Sequence, residues 1–201
     1  MVDTLIVNGI IMTMDADRKI IDDGGVAIEG DHILDVGSSR RLKETYSADR
    51  VFDASGMVVM PGLMDGHAHS GHSLLRSLGM HNNTWYTACR VLYAEASSRE
   101  FWEVDAKMLN LERLKFGTTC GVTFFGGGDS VMRVDDPQYA GLHCDAVEEI
   151  GVRSFLAVGP RRPPFPSKYA EWKGDSRRDY EVSFEEQISV CEKVVSFNHL
   201  S

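Results

Sequence analysis

Two rhythms of apolar and polar positions divide the chain. Up to about residue 57, short β-type runs alternate with turn residues: Thr4 to Asn8, Ile10 to Met14, Gly25 to Glu29, His32 to Val36 and Val51 to Asp53. Gly30-Asp31 marks a tight connection, Asp22, Asp23, Gly24 and Gly25 punctuate the middle, and polar helix formers between Ser38 and Ser47 predict a short surface helix. This pattern predicts a small β-sheet or half-sandwich, a β-sandwich-like N-terminal domain over residues 1–57.

From Val58 the period lengthens. A strand at Met57 to Met60 is expected to run on towards His69, and helical patterns then alternate with short apolar strands. Phe101, Val104, Met108, Leu111 and Leu114 predict a helix stopped at Gly117, and Thr118 to Phe125 a strand. Tyr139, Leu142, Ala146, Val147 and Ile150 repeat the pattern up to Gly151, before a strand at Val152 to Val158. Ser183 and Glu186 form a capping box that opens a helix with the stripe Phe184, Ile188, Cys191 and Val195. The proline- and arginine-rich segment from Gly159 to Val182 is expected to be a long loop. Residues 58–201 therefore predict about three β/α units around a parallel sheet, an α/β class. A closed barrel of eight such units takes about 250 residues, more than the 201 of the whole chain. Three such units can also make a small open sheet; a truncated, N-terminal half of a (β/α)8 TIM-like barrel is what the family resemblance carried by the motif at Pro61 to His69 implies.

Composition narrows the function classes. A formal net charge of -9 spread along the chain argues against a nucleic-acid partner held through phosphates. No apolar run approaches the roughly 20 residues that cross a bilayer, and the N-terminus lacks a signal-type pattern, so no membrane partner and a cytoplasmic location are expected. Cys89, Cys120, Cys144 and Cys191 form no CxxC pair and read as buried reduced thiols.

The sharpest chemical feature is Pro61-Gly-Leu-Met-Asp-Gly-His67-Ala-His69, at the end of an apolar strand. Side chains at i and i+2 of a strand share a face, so two imidazoles there can converge on one metal ion at 2.0 to 2.1 Å. A bare His-x-His is common, and the residues around this one distinguish it. The run Val58-Val59-Met60-Pro61-Gly62-Leu63-Met64-Asp65-Gly66-His67-Ala68-His69 resembles the strand-one motif of the amidohydrolase superfamily. Ser73-Leu74-Leu75-Arg76-Ser77-Leu78-Gly79 resembles the cytosine deaminase, guanine deaminase and chlorohydrolase-like branch. Leu5 to Gly9, Val26 to Ile33 and Val36-Gly37 are similar to the β-sandwich strands that precede the barrel in that family.

The resemblance implies a mononuclear divalent metal, zinc or alternatively iron, with His67 and His69 as its first two ligands. Two histidines from strands five and six and an aspartate from strand eight complete the family's site, and catalytic acid–base residues are expected beyond Ser201. It implies a metal-dependent hydrolase of carbon–nitrogen bonds other than peptide bonds: an aminohydrolase or deaminase of a purine, pyrimidine or triazine-like heterocycle, using a metal-activated hydroxide. A homo-oligomer is expected, and this chain alone is expected to be close to inactive. Substrate contacts are expected among His72, Arg76 and Trp85, after the metal motif, and from Arg161 on the proline-rich loop. His81, Asn82, Asn83, Tyr86 and Arg162 are weaker candidates, and Gly126-Gly127-Gly128 reads as a flexible turn. No H-E-x-x-H helix and no P-C-x-x-C deaminase signature is present. The rival reading is an inactive fragment or assembly module whose open sheet edge pairs with another chain.

Overall fold

A computed structural model describes residues 1–78, 91–125 and 133–197. They divide into two compact units, Met1–Gly62 and Leu63–Ser201. Each is taken by itself below.

The first unit is one mixed sheet. Strands β1 (Val2–Met12), β2 (Ile20–Glu29) and β3 (His32–Ser38) pair antiparallel in the order β3-β2-β1. Helix α1 (Ser39–Thr45) follows, and β4 (Ala48–Asp53) and β5 (Val58–Val59) both pair with β1 in parallel. Its core is Val2, Leu5, Val7, Ala27 and, from α1, Leu42. The two strands read as Thr4 to Asn8 and Ile10 to Met14 are a single strand with register shifts around Gly9. The described strands make one layer, and a second sheet facing it, as a sandwich requires, is not among the described residues. The strand expected at Met57 to Met60 is also reassigned. Val58 and Val59 lie opposite Ile10 and Ile11 of β1, so they belong to this first sheet, and the break between units falls after Gly62.

The second unit is a parallel sheet with the order β6-β7-β8, made of β6 (Leu63–His69), β7 (Thr118–Phe124) and β8 (Arg153–Ala157). Helix α2 (Arg99–Lys115) joins β6 to β7 and α3 (Pro137–Ile150) joins β7 to β8. Such β-α-β crossovers are what the alternating pattern predicts. The caps follow ordinary chemistry: the Ser98 and Asp136 side chains accept from Phe101 N–H at 3.1 Å and Gln138 N–H at 2.9 Å, and Gly151 closes α3 in the left-handed region. Helix α4 (Phe184–Phe197) opens on the expected capping box, with Ser183 N–H donating to Glu186 Oε2 at 2.8 Å and Glu186 N–H to Ser183 Oγ at 3.1 Å. No helix among the described residues is long and apolar enough to cross a membrane.

Three sequence expectations fail here. The segment Gly159 to Val182 is not a loop throughout: β9 (Ser167–Lys173) and β10 (Ser176–Val182) form a hairpin turning at Gly174-Asp175. Its strands escape an apolar-alternation search because their pairs are polar, with Arg178 opposite Glu171 at 3.0 Å and Tyr180 opposite Tyr169. Helix α2 does not bury its apolar stripe. Val104, Leu111 and Leu114 are exposed, and the face turned inward is Trp102, Asp105, Ala106, Asn110 and Arg113. Helix α4 is rotated likewise. Phe184 and Val195 are exposed, while Gln187, Val190 and Val194 are buried. Gln187 sets that rotation, because its side chain accepts from Arg161 N–H and donates to Ser167 Oγ, tying α4 to the start of the hairpin.

The core of this unit gathers Tyr93, Trp102, Phe125, Tyr139, Tyr169, Val190 and Val194. Within it lies a fully buried ion pair, Arg133 with Asp135 at 2.7 Å. The Arg133 guanidinium also donates to Ala170 O at 2.8 Å and Tyr180 Oη at 3.0 Å, and lies 4.2 Å from the Tyr139 ring centre. Burying a charge is tolerable only with this degree of pairing. Arg133→Met leaves the Asp135 carboxylate without its cation and is expected to cost about 3–5 kcal/mol, measured by urea denaturation against the parent chain.

Candidate functional site

Strand β6 brings His67 and His69 to its carboxyl end, and their Nε2 atoms lie 3.0 Å apart. The rings meet edge to face at 4.8 Å, and both pack against Phe124, at 4.7 and 5.6 Å. The register explains why they share a face. Ala68 lies opposite Thr123, and His69 opposite Phe124. Thr123 is fully buried and accepts a hydrogen bond from Arg113 of α2, so the next residue of β7, Phe124, and its partner His69 turn away from that helix.

Asp65 departs from simple alternation. It lies opposite Gly121, and between Asp65 and Ala68 the register slips, three residues of β6 passing two of β7. This bulge turns Asp65 towards α2 although His67 and His69, two and four residues on, face the other way. Asp65 Oδ1 accepts from His67 N–H at 3.1 Å inside the bulge, and Oδ2 accepts from Arg113 Nη2 at 3.0 Å.

The turn after His69 is held by the same helix. Ser70 is buried, Gly71 takes φ +90° with Trp102 and Tyr93 packed where a Cβ would project, and the Asp105 carboxylate accepts from Gly71 N–H at 2.6 Å and Leu74 N–H at 2.9 Å. Burial raises the Asp105 pKa despite those donors. From α3, His143 reaches Ser70 Oγ through Nδ1 at 3.2 Å, and its Nε2 is buried without a hydrogen-bond partner among the described residues. Burial, with Arg113 nearby, lowers His143 to about 4. It is a packed, neutral histidine of α3.

Of the expected substrate contacts among the described residues, His72 alone is brought to the pair. Its ring stacks on His69 at 5.3 Å, its Nδ1 is hydrogen-bonded to Tyr93 Oη, and burial lowers it to about 4. Arg76 points to α2 instead, bidentate to Glu112 at 2.7 Å for each bond and donating to Ser73 O. Arg161 donates to Lys168 O and lies 5.1 Å from the Tyr169 ring centre, on the hairpin. Trp85 lies outside the described residues, as do His81, Asn82, Asn83, Tyr86 and Gly126 to Gly128. Cys144 and Cys191 are half-buried, and burial raises both thiols. Sequence reasoning missed Asp105 and Arg113. The signal was their spacing from Trp102 on one helical face, hidden because that face is polar.

The pair's spacing suits a cation. Two nitrogens 2.0–2.1 Å from one ion are separated by about 2.9 Å at a right angle and about 3.3 Å at the tetrahedral angle, and 3.0 Å falls between. Burial, then the neighbouring His67, lowers His69 and favours the uncharged ring that a cation needs. Its Nδ1 is buried without a partner among the described residues. No group of three or more His, Cys, Asp or Glu side chains among the described residues is placed to hold a metal.

A parallel sheet of β/α units whose leading strand ends in two converging imidazoles is the framework of a class of metal-centred hydrolases. No protein-family model matches the chain. By sequence it is 37% identical over 120 residues to a 5-methylthioadenosine/S-adenosylhomocysteine deaminase of Syntrophobacter fumaroxidans, covering 58% of this chain and 27% of that protein. It is 31% identical over 180 residues to an enzyme of the same name from Nitratidesulfovibrio vulgaris, covering 87% and 40%. Among solved structures, an adenosine deaminase from Xanthomonas campestris with bound zinc superposes with a TM-score of 0.74 at 19% identity, over 100% of this chain and 40% of that one. These sequence relatives indicate the amidohydrolase superfamily. It spans 27–40% of the length of these relatives.

The unfolded-state pKa of a histidine is near 6.5, and that of His143 in the fold is about 4. Between those values the unfolded chain binds the proton and the folded one does not, so this group makes stability fall as pH drops from about 6.5 to 4. His143→Gln, which keeps a partner for Ser70, is expected to show a shallower fall over that window, read as melting temperature against pH.

Proposed function

We propose that this chain carries the first part of a metal-dependent aminohydrolase, with His67 and His69 as two ligands of one divalent ion, zinc in the first instance. The observation that carries the reading is the 3.0 Å approach of the two Nε2 atoms at a strand's carboxyl end, the rim where β/α enzymes place their chemistry. In this reading β6 to β8 with α2 and α3 are the opening units of a (β/α)8 barrel, and the first sheet is one layer of a β-sandwich. The substrate is a heterocycle bearing an exocyclic amine, with adenine nucleosides favoured by the names of the sequence relatives.

When bound, such an ion supplies Lewis-acid activation of water near neutral pH. The chain's own residues have separate tasks. His67 and His69 would hold the ion through their Nε2 atoms, Phe124 walls the pair from one side, and His72, hydrogen-bonded to Tyr93 and stacked on His69, fixes the tilt of that ring.

The test is metal content. The purified chain, equilibrated with zinc and desalted, is expected to retain about one ion per chain, and His67→Ala with His69→Ala to retain none. Zinc that stays bound in the double variant, or never binds the parent, overturns the reading. Ammonia release from adenine nucleosides, measured in a protein carrying this sequence within the full length of its relatives, is expected to vanish with the same substitutions.

A further inference from the structure

We infer that Arg113 is a positioning residue for the His67–His69 pair: by clamping Asp65 it holds the β6 bulge that turns both imidazoles to one side. The inference rests on the metal-ligand reading above and names what keeps that pair aligned.

Geometry argues it from three directions. Arg113 lies on the buried face of α2, 5% exposed. Its guanidinium is bonded mostly to the two strands that carry the site, to Asp65 Oδ2 at 3.0 Å, Thr123 Oγ1 at 2.8 Å and Val122 O at 3.1 Å, with Asn110 of α2 accepting from Nη1 at 3.3 Å. Asp65 then uses its other oxygen on His67 N–H, inside the register slip. One ion pair thus fixes the residue before the bulge, and one hydrogen bond fixes the residue within it.

Gly121 supplies the third argument. It lies directly opposite Asp65, and a Cβ built there falls 2.5 Å from Arg113 Cζ and 2.6 Å from Nη2. The guanidinium occupies the space a side chain would fill. A glycine in a strand interior weakens the strand and commonly marks close approach of another group; here the approaching group is the clamp. Three positions, each ordinary alone, fit only as a set.

Without the clamp, Asp65 has no reason to face α2. The bulge then competes with regular pairing, in which a shift by one residue moves side chains to the opposite face of the sheet. Pre-alignment of the two rings is lost although neither ring is altered. Groups outside the ligand set that orient ligands typically change metal affinity by about 10- to 100-fold.

The experiment measures zinc affinity by chelator competition for the parent chain, Arg113→Met, Gly121→Ala, Asp65→Asn and Arg133→Met, with circular dichroism confirming that each is folded. His67 amide exchange is followed in the same proteins without metal. Arg113→Met and Gly121→Ala are expected to weaken zinc binding by about tenfold or more and to speed His67 amide exchange. Asp65→Asn, which keeps an acceptor for that amide, is expected to lose less. Arg133→Met breaks an ion pair more deeply buried than that of Arg113 with Asp65, far along the chain, and is expected to leave zinc affinity unchanged. Parent-like zinc binding in Arg113→Met and Gly121→Ala overturns the inference, and so does an equal loss in Arg133→Met, which makes the effect one of general stability. A parent chain that binds no zinc sinks the metal-ligand reading itself, and the positioning role falls with it.

Discussion

Buried polar groups must be satisfied, and in the second unit one helix face does most of that work. The inward side of α2 carries a carboxylate, an amide and a guanidinium between Trp102 and Arg113. Asp105 takes up two backbone N–H groups of the turn after His69, and Arg113 takes up Asp65 and two groups of β7. An apolar face would have packed against the sheet but left those N–H groups without acceptors, at a cost of about 1–3 kcal/mol each. The helix therefore acts on the site strand through directed bonds at both of its ends, and packing alone has no comparable power to fix a register.

That choice also explains where the sequence misleads. Apolar periodicity located α2, α3 and α4 to within two or three residues, because a helix of this length needs caps and stops that the chain spells out at Ser98, Asp136, Gly151 and Ser183. It failed on which side of α2 and α4 faces inward. Periodicity finds the apolar side, and in both helices long-range hydrogen bonds from Asp105, Arg113 and Gln187 selected another. The hairpin was hidden for a related reason, since its strands are written in charges and aromatic rings whose partners are known only once the register is known.

The candidate site was legible in its motif and illegible in its support. His67 and His69 announce themselves by spacing and by the residues around them, and His72 joins them in space. Arg76, expected nearby, is bound to Glu112 thirty-six positions along. Arg161, ahead of the hairpin in sequence, bonds to its first strand. Nothing local in either arginine's surroundings distinguishes a side chain that faces a cavity from one that joins two elements, because the partner lies far away in sequence.

Arg133 ties distant stretches of chain into one event. It is bonded to Asp135 beside it, to Ala170 and Tyr180 on the two strands of the hairpin, and covers Tyr139 at the start of α3. The hairpin is for this reason no detachable decoration. A nick or an insertion at its Gly174-Asp175 tip is read out at the beginning of a helix some thirty-five residues earlier, so the two segments order and melt as one cooperative body.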